Sequence, residues 1–322
     1  MASGPGNFDE GGEEDEVSDS SAFDSDSPIP EDEVNTMPTG DARVDLSSFV
    51  RIANWVAGSP SGGYDVCLSD REAGSRFVGP LVAQAWTAID AGDAGDAAVA
   101  TLSFPSVTSY LTVAPGDYVV RLVAFGSDCT TGVSADFTAV PPLSPHAYST
   151  LAMIGAAVGD GGAPHMRIEV YEDDQAVAGF AAVRFVQAVP GLSAVKFGLV
   201  GSFSGPADAG GGTFLPLATD VAYGSTSLPP GGDAGTIDNN GYLLTAPWTG
   251  VLLEARTMGA AAVARGEDSV AYEDAVTVAL IGASTGAQLF QCFDNGNAGP
   301  LLSQCKILPS ASTSAGPSGD GG

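Results

Sequence analysis

The sequence predicts an all-β protein with a duplicated body, and three observations predict it. The first is a repeat. Val50-Arg51-Ile52-Ala53-Asn54-Trp55-Val56 returns 133 residues later as Val183-Arg184-Phe185-Val186-Gln187-Ala188-Val189. A run ending in Gly155 returns ending in Gly282, 127 residues later, as Ala275-Val276-Thr277-Val278-Ala279-Leu280-Ile281-Gly282. Two distant markers that recur in order at nearly equal spacing imply that a whole domain is copied. The second is composition: 43 glycines and 21 prolines in 322 residues suit short strands joined by turns better than helices. The third is period-2 alternation, clearest in Tyr118, Val120, Leu122 and Ala124 against Val119, Arg121, Val123 and Phe125.

The elements follow in order. Residues 1–41 are rich in Asp, Glu, Ser, Gly and Pro and cannot bury enough apolar surface to offset ordering entropy, so they read as a disordered acidic leader. The first body spans 42–177. Its strands begin with Val50 to Trp55 and Tyr64 to Leu68, pass the low-complexity insert Asp90 to Asp96, and continue through Val99–Phe104 and Ser109–Val113. The turn Ala114-Pro115-Gly116-Asp117 leads into Tyr118–Phe125, and Thr150–Gly155 and Met166–Tyr171 close the body. The second body spans 178–308, with strands at Val183–Val189, Val195–Val200, Tyr242–Ala246, Gly250–Arg256, Val276–Ile281 and Gln288–Phe293. A Gly-rich excursion over Ser202–Gly212 and an insertion around Pro229–Gly241 lengthen its loops, and residues 309–322 form a Ser/Gly-rich tail expected to be disordered. About seven short strands per body fit two tandem immunoglobulin-like β-sandwiches.

Charge and length exclude some functions. The net charge is −28, and residues 1–40 hold twelve acids and no Lys or Arg, leaving −16 for the rest. Such a surface repels phosphate backbones, so no nucleic-acid partner is expected. No apolar run reaches 18 residues, so no transmembrane helix is expected. No basic, apolar export signal precedes Asp9 in this numbering.

Four cysteines fall two per repeat, with no zinc-like spacing. The simplest pairing is Cys67 with Cys129 and Cys292 with Cys305, worth about 4 and about 3 kcal/mol in the loop-entropy account. Four buried free thiols in a cytosolic protein are the alternative. Disulfides would place the chain outside the cytoplasm.

Val50-Arg51-Ile52, Tyr64-Asp65-Val66 and the stretch Ser106-Val107-Thr108-Ser109-Tyr110-Leu111-Thr112-Val113-Ala114-Pro115-Gly116-Asp117-Tyr118-Val119-Val120-Arg121 together resemble the bacterial and archaeal domain-of-unknown-function family 4397. The resemblance runs over 42–305. In the second copy Pro247-Trp248-Thr249-Gly250 stands where the first has its Pro-Gly turn. The resemblance implies a β-sandwich, often in tandem, in an extracytoplasmic place, and implies no activity.

Few residues suggest chemistry. His146 and His165 both follow proline in linkers, and neither has a matching His in the second repeat, so no catalytic residue is expected. The spaced acids of Asp90–Asp96 lack the distal bidentate Glu of a calcium loop and read as a spacer. Glu172, Asp173 and Asp174 follow one strand and Asp294 follows its counterpart, which makes them candidate calcium ligands against a plain turn role. Of Trp55, Trp86 and Trp248, all first read as core, Trp86 is the candidate ligand contact. Arg51 and Arg184 share a repeat position among apolar neighbours: the bland reading turns them outward, the sharper one makes them an ion pair that docks the two bodies. The functional expectation is a non-enzymatic secreted or cell-surface binding or adhesion module, with a structural spacer or a carboxylate-dependent hydrolase as alternatives. Its ligand is unspecified, and no cofactor beyond possible calcium is expected.

Overall fold

The computed structural model describes residues 47–71, 76–84, 101–138, 140–157, 165–174, 177–201, 213–227, 237–294 and 304–310. The expectations for the leader, the Asp90–Asp96 insert, Trp86 and the Gly-rich excursion lie outside these residues. Residues 45–322 form one compact unit.

Among the described residues nearly all regular secondary structure is strand, with one short helical turn at 81–84. The first half contains β1 (Ser48–Ala57), β2 (Tyr64–Asp70), β3 (Ser106–Val107), β4 (Leu111–Val113), β5 (Tyr118–Ala124), β6 (Tyr148–Ala156) and β7 (His165–Asp173). The second contains β8 (Ala181–Gln187), β9 (Val195–Gly201), β10 (Thr213–Val221), β11 (Tyr242–Thr245), β12 (Trp248–Thr257), β13 (Ala262–Val270), β14 (Ala275–Ile281), β15 (Gln288–Phe293) and β16 (Cys305–Ile307). The sequence pattern leaves out β3, β10, β13 and β16, and the strand expected at Val99–Phe104 is, in its described part, an isolated bridge at Leu102. In β10 a proline breaks the pattern, and in β13 Arg265, Gly266, Glu267 and Asp268 interrupt it, so neither carries the apolar run that marks a strand. His165 opens β7 rather than sitting in a linker.

In the first half, a sheet ordered β3-β1-β6-β7, with β4 also on β1, faces the β2–β5 pair. Val50, Ile52, Val66, Leu68, Val120, Leu122, Leu151 and Met153 fill the space between. In the second half, β11-β8-β14-β15-β16 faces β10-β9-β12-β13 around Val183, Phe185, Phe197, Leu253, Val276 and Leu280. Both halves are thus sandwiches of an all-β protein. Each contains one parallel pair, β1 with β6 and β8 with β14, which the antiparallel sheets of an immunoglobulin domain lack.

The duplication seen in sequence is repeated in backbone detail. His146 and Glu273 both have positive φ, 59° and 63°. Their N–H groups donate to Ser47 O at 2.9 Å and Phe180 O at 2.8 Å, positions that also correspond. Asn54 and Gln187 each accept a hydrogen bond from the N–H two residues on, at 3.1 and 2.6 Å. Gly155 and Gly282 share a positive φ, and a Cβ at Gly155 would lie 2.0 Å from His165 O, so only glycine fits near the end of the pairing between β6 and β7.

The strands β1, β6, β8 and β14 are buried on both faces. One face looks into its own sandwich. From the other, Ala53, Trp55, Ala152, Ile154 and Tyr171 of the first half meet Val186, Ala188, Ala279, Ile281, Phe290 and Cys292 of the second in one apolar cluster. The two halves therefore pack sheet against sheet, and the central strands of the two middle layers see almost no solvent. This explains the near-continuous apolar runs: a strand covered on both faces loses the polar half of its alternation.

Candidate functional site: a buried charged seam

At the centre of this contact the alternation places Arg51 on β1 and Arg184 on β8, on the faces turned toward the opposite half. They are 1% and 0% exposed. The outward reading of these arginines is corrected: with sheet covering both faces of each strand, no outward face exists. The parallel pairings set Arg51 beside Thr150 and Arg184 beside Thr277. The last residue of β7 is Asp173, and the residue just after β15 is Asp294.

Each arginine reaches across the seam. Arg51 Nη2 donates to Asp294 Oδ1, and Nη1 donates to Phe293 O at 2.8 Å. Arg184 Nη2 donates to Asp173 Oδ1, and Nη1 donates to Glu172 O at 2.7 Å. Within its own half, Arg51 Nε donates to Thr150 Oγ1 at 2.6 Å, and Thr150 donates to Asp173 Oδ2 at 2.7 Å. Arg184 Nε donates to Thr277 Oγ1 at 3.0 Å, and Thr277 donates to Asp294 Oδ2 at 2.7 Å. Tyr110 donates to Asp173 Oδ2 at 2.9 Å, and Tyr242 donates to Asp294 Oδ2 at 2.7 Å. Each guanidinium also lies over its own half's tyrosine, 5.3 Å from Tyr110 and 4.6 Å from Tyr242. Eight side chains, two of each kind, thus close a neutral network with every charge partnered, the condition under which buried ions are tolerated.

The electrostatics follow the contacts. Burial would lower the arginine pKa values, but for Arg51 the two aspartates, and for Arg184 Tyr242 and both aspartates, outweigh it, so both rise. Burial pushes Asp173 up, yet Arg51 and Arg184 together hold it below the ordinary range. Asp294 is left above that range by burial, with Arg51 the main force against it. The difference matches the geometry: Asp173 lies against both guanidinium groups, Asp294 against one.

The candidate calcium ligands therefore have another role. Asp173 and Asp294 turn their carboxylates to arginine, which fills the place a cation would take. Glu172 is exposed and contributes its backbone carbonyl. Asp174 accepts from Asn240 Nδ2 at 2.7 Å. Among the described residues no group of three or more His, Cys, Asp or Glu could hold a metal ion. Of the tryptophans, Trp55 and Trp248 are buried, and Trp248 Nε1 donates to Asp268 Oδ2 at 3.2 Å. Sequence reasoning singled out the arginines and aspartates but missed Thr150, Thr277, Tyr110 and Tyr242. The signal was available: Thr150 and Thr277 sit five residues before the paired glycines.

Asp174 gives a pH signature. Burial first, then the neighbouring Asp238, pushes its carboxyl up to about 7. A raised carboxyl keeps its proton in the fold while the unfolded chain releases it. Its stabilising contribution is full below about pH 4 and is lost as pH rises toward about 7. Asp174→Asn is expected to remove that decline, which melting temperatures of both proteins from pH 4 to pH 8 check.

Both expected disulfides form, Cys67–Cys129 and Cys292–Cys305, and no cysteine is free. The second crosses from β15 to β16. A chain with all its thiols oxidised belongs outside the reducing cytoplasm. Among the described residues no helix is long and apolar enough to cross a membrane. The fold and seam thus define a class: a disulfide-bonded, non-cytoplasmic all-β protein with a duplicated body. Residues 48–198 match the family model described as Domain of unknown function (DUF4397), the family that the sequence resembles. The match runs from β1 into β9 and stops short of the 42–305 expected; beyond it lie β10 to β16, where the second copy departs most. No curated protein matches the chain.

Proposed function

We propose that this chain is a non-enzymatic secreted or cell-surface module that makes contact with an extracellular ligand, its bodies at 42–177 and 178–308 acting as one rigid unit. The observation that carries this reading is the seam. Four charged and four hydroxyl side chains gather inside, where they lock one half to the other. A rigid tandem favours contact because the ordering entropy of two surfaces is already spent before a partner arrives. Each sandwich is read as an immunoglobulin-like scaffold whose end loops supply contacts, with the parallel pairs as a departure. The acidic surface favours partners other than nucleic acid.

A structural spacer of a surface assembly is the close alternative, favoured by the same rigidity. One observation favours the hydrolase reading: an open groove of about 440 Å³ is lined by Glu169 and Glu172 from β7 together with Ser225, Thr226, Asn239 and Asn240. The test is a glycan and matrix-protein binding array run beside a broad hydrolase screen. Binding without turnover supports contact. Turnover lost in Glu169→Gln or Glu172→Gln supports the hydrolase. Silence in both leaves the spacer.

A further inference from the structure

We infer that the seam is a self-complementary interface, and that the partner each half fits is a second copy of the same half: the tandem is a dimer joined in one chain. The contacts across the seam are reciprocal. Arg51 corresponds to Arg184, Thr150 to Thr277, Tyr110 to Tyr242 and Asp173 to Asp294, by the repeat offsets and by strand register: Leu111 lies opposite Val50 as Leu243 lies opposite Val183. Exchanging the halves turns the bond from Arg51 to Asp294 into the bond from Arg184 to Asp173. It turns the bond from Arg51 to Phe293 O into that from Arg184 to Glu172 O. When residue i meets j and j's counterpart meets i's, the interface is isologous, the signature of a two-fold pair. Each half thus carries both the cation and the anion that a copy of itself needs.

The apolar surround breaks the symmetry. Trp55 and Tyr171 of the first half correspond to Ala188 and Cys292 of the second, and all four share the seam cluster. Large against small fits when unlike halves meet. Two first halves would set indole against indole, and two second halves would leave a void. The polar centre permits self-pairing, and Trp55 against Ala188 selects the pairing within one chain.

Charge inversion in the full chain tests this. Three proteins are compared by light scattering and circular dichroism, all carrying Trp55→Ala so that no indole meets its copy. The first has no other change. The second adds Arg51→Asp and Asp173→Arg, which sets like charges across its own seam but leaves each half complementary to a copy of itself. The third adds Arg184→Asp and Asp294→Arg as well, which makes the internal seam complementary again. Relative to the first, the second is expected to double in mass and the third to return to the first's mass. A folded second protein that does not double overturns the inference. If the second does not fold, the third decides: recovery of the first protein's strand signal and mass upholds it, and failure to recover overturns it.

Discussion

Arg184→Ala is expected to destabilise the protein by roughly 3–5 kcal/mol, because it strands the Asp173 carboxylate in a site without water. The size of the loss comes from what is left behind. Asp173 would keep Thr150, Tyr110 and the more distant Arg51 Nε, at 3.4 Å, but would lose its close guanidinium partner. Glu172 O would lose its donor too. Removing both charges together, as Arg184→Met with Asp173→Leu, is expected to cost clearly less than the single change, since no unpaired ion remains. Denaturant unfolding of the two variants and the parent checks both statements. A single variant that loses less than about 1 kcal/mol, the scale of an exposed pair, would contradict the buried seam.

Trp55→Ala is expected to cost about 3–5 kcal/mol through the cavity it opens in the cluster shared by both halves. Trp55 is 1% exposed and its ring stacks on Tyr171 at 6.3 Å. Its indole nitrogen has no hydrogen-bond partner, so Trp55→Phe forfeits no bond and is expected to cost much less. Thermal melts in parallel distinguish the two. Equal losses would mean that the indole's volume is not what fills the site. Ala188→Trp is a counterpart: added volume on the small side is expected to destabilise through overpacking, by roughly 1–3 kcal/mol.

Much of this was legible in the chain. The copy at Val50–Val56 and Val183–Val189 is local and contiguous, so it needs no folding to be read. The strands Tyr118–Ala124 and Ala275–Ile281 carry their apolar pattern in consecutive residues. The cysteine pairs were the simplest pairing and are the ones formed. The aspartates at the strand ends stand out by their recurrence, but their partner in the fold is guanidinium rather than calcium. Calcium and guanidinium both satisfy a carboxylate, and nothing in the linear order says which will be near. A charged residue in a strand ordinarily faces water, which favours the outward reading of Arg51 and Arg184 over the docking ion pair that the packed sheets realise.

What the sequence determined by itself is local: strand against helix, the duplication, the glycines near the ends of β6 and β14, the thiols available for bridging. Each depends on residues a few places apart and on backbone sterics. What only the tertiary structure decided is the company those residues keep. Arg51 and Asp294 are 243 residues apart and meet because two sheets press face to face. A cation and an anion become a lock only when water is excluded from both, and that exclusion belongs to the packed layers, not to any stretch of chain.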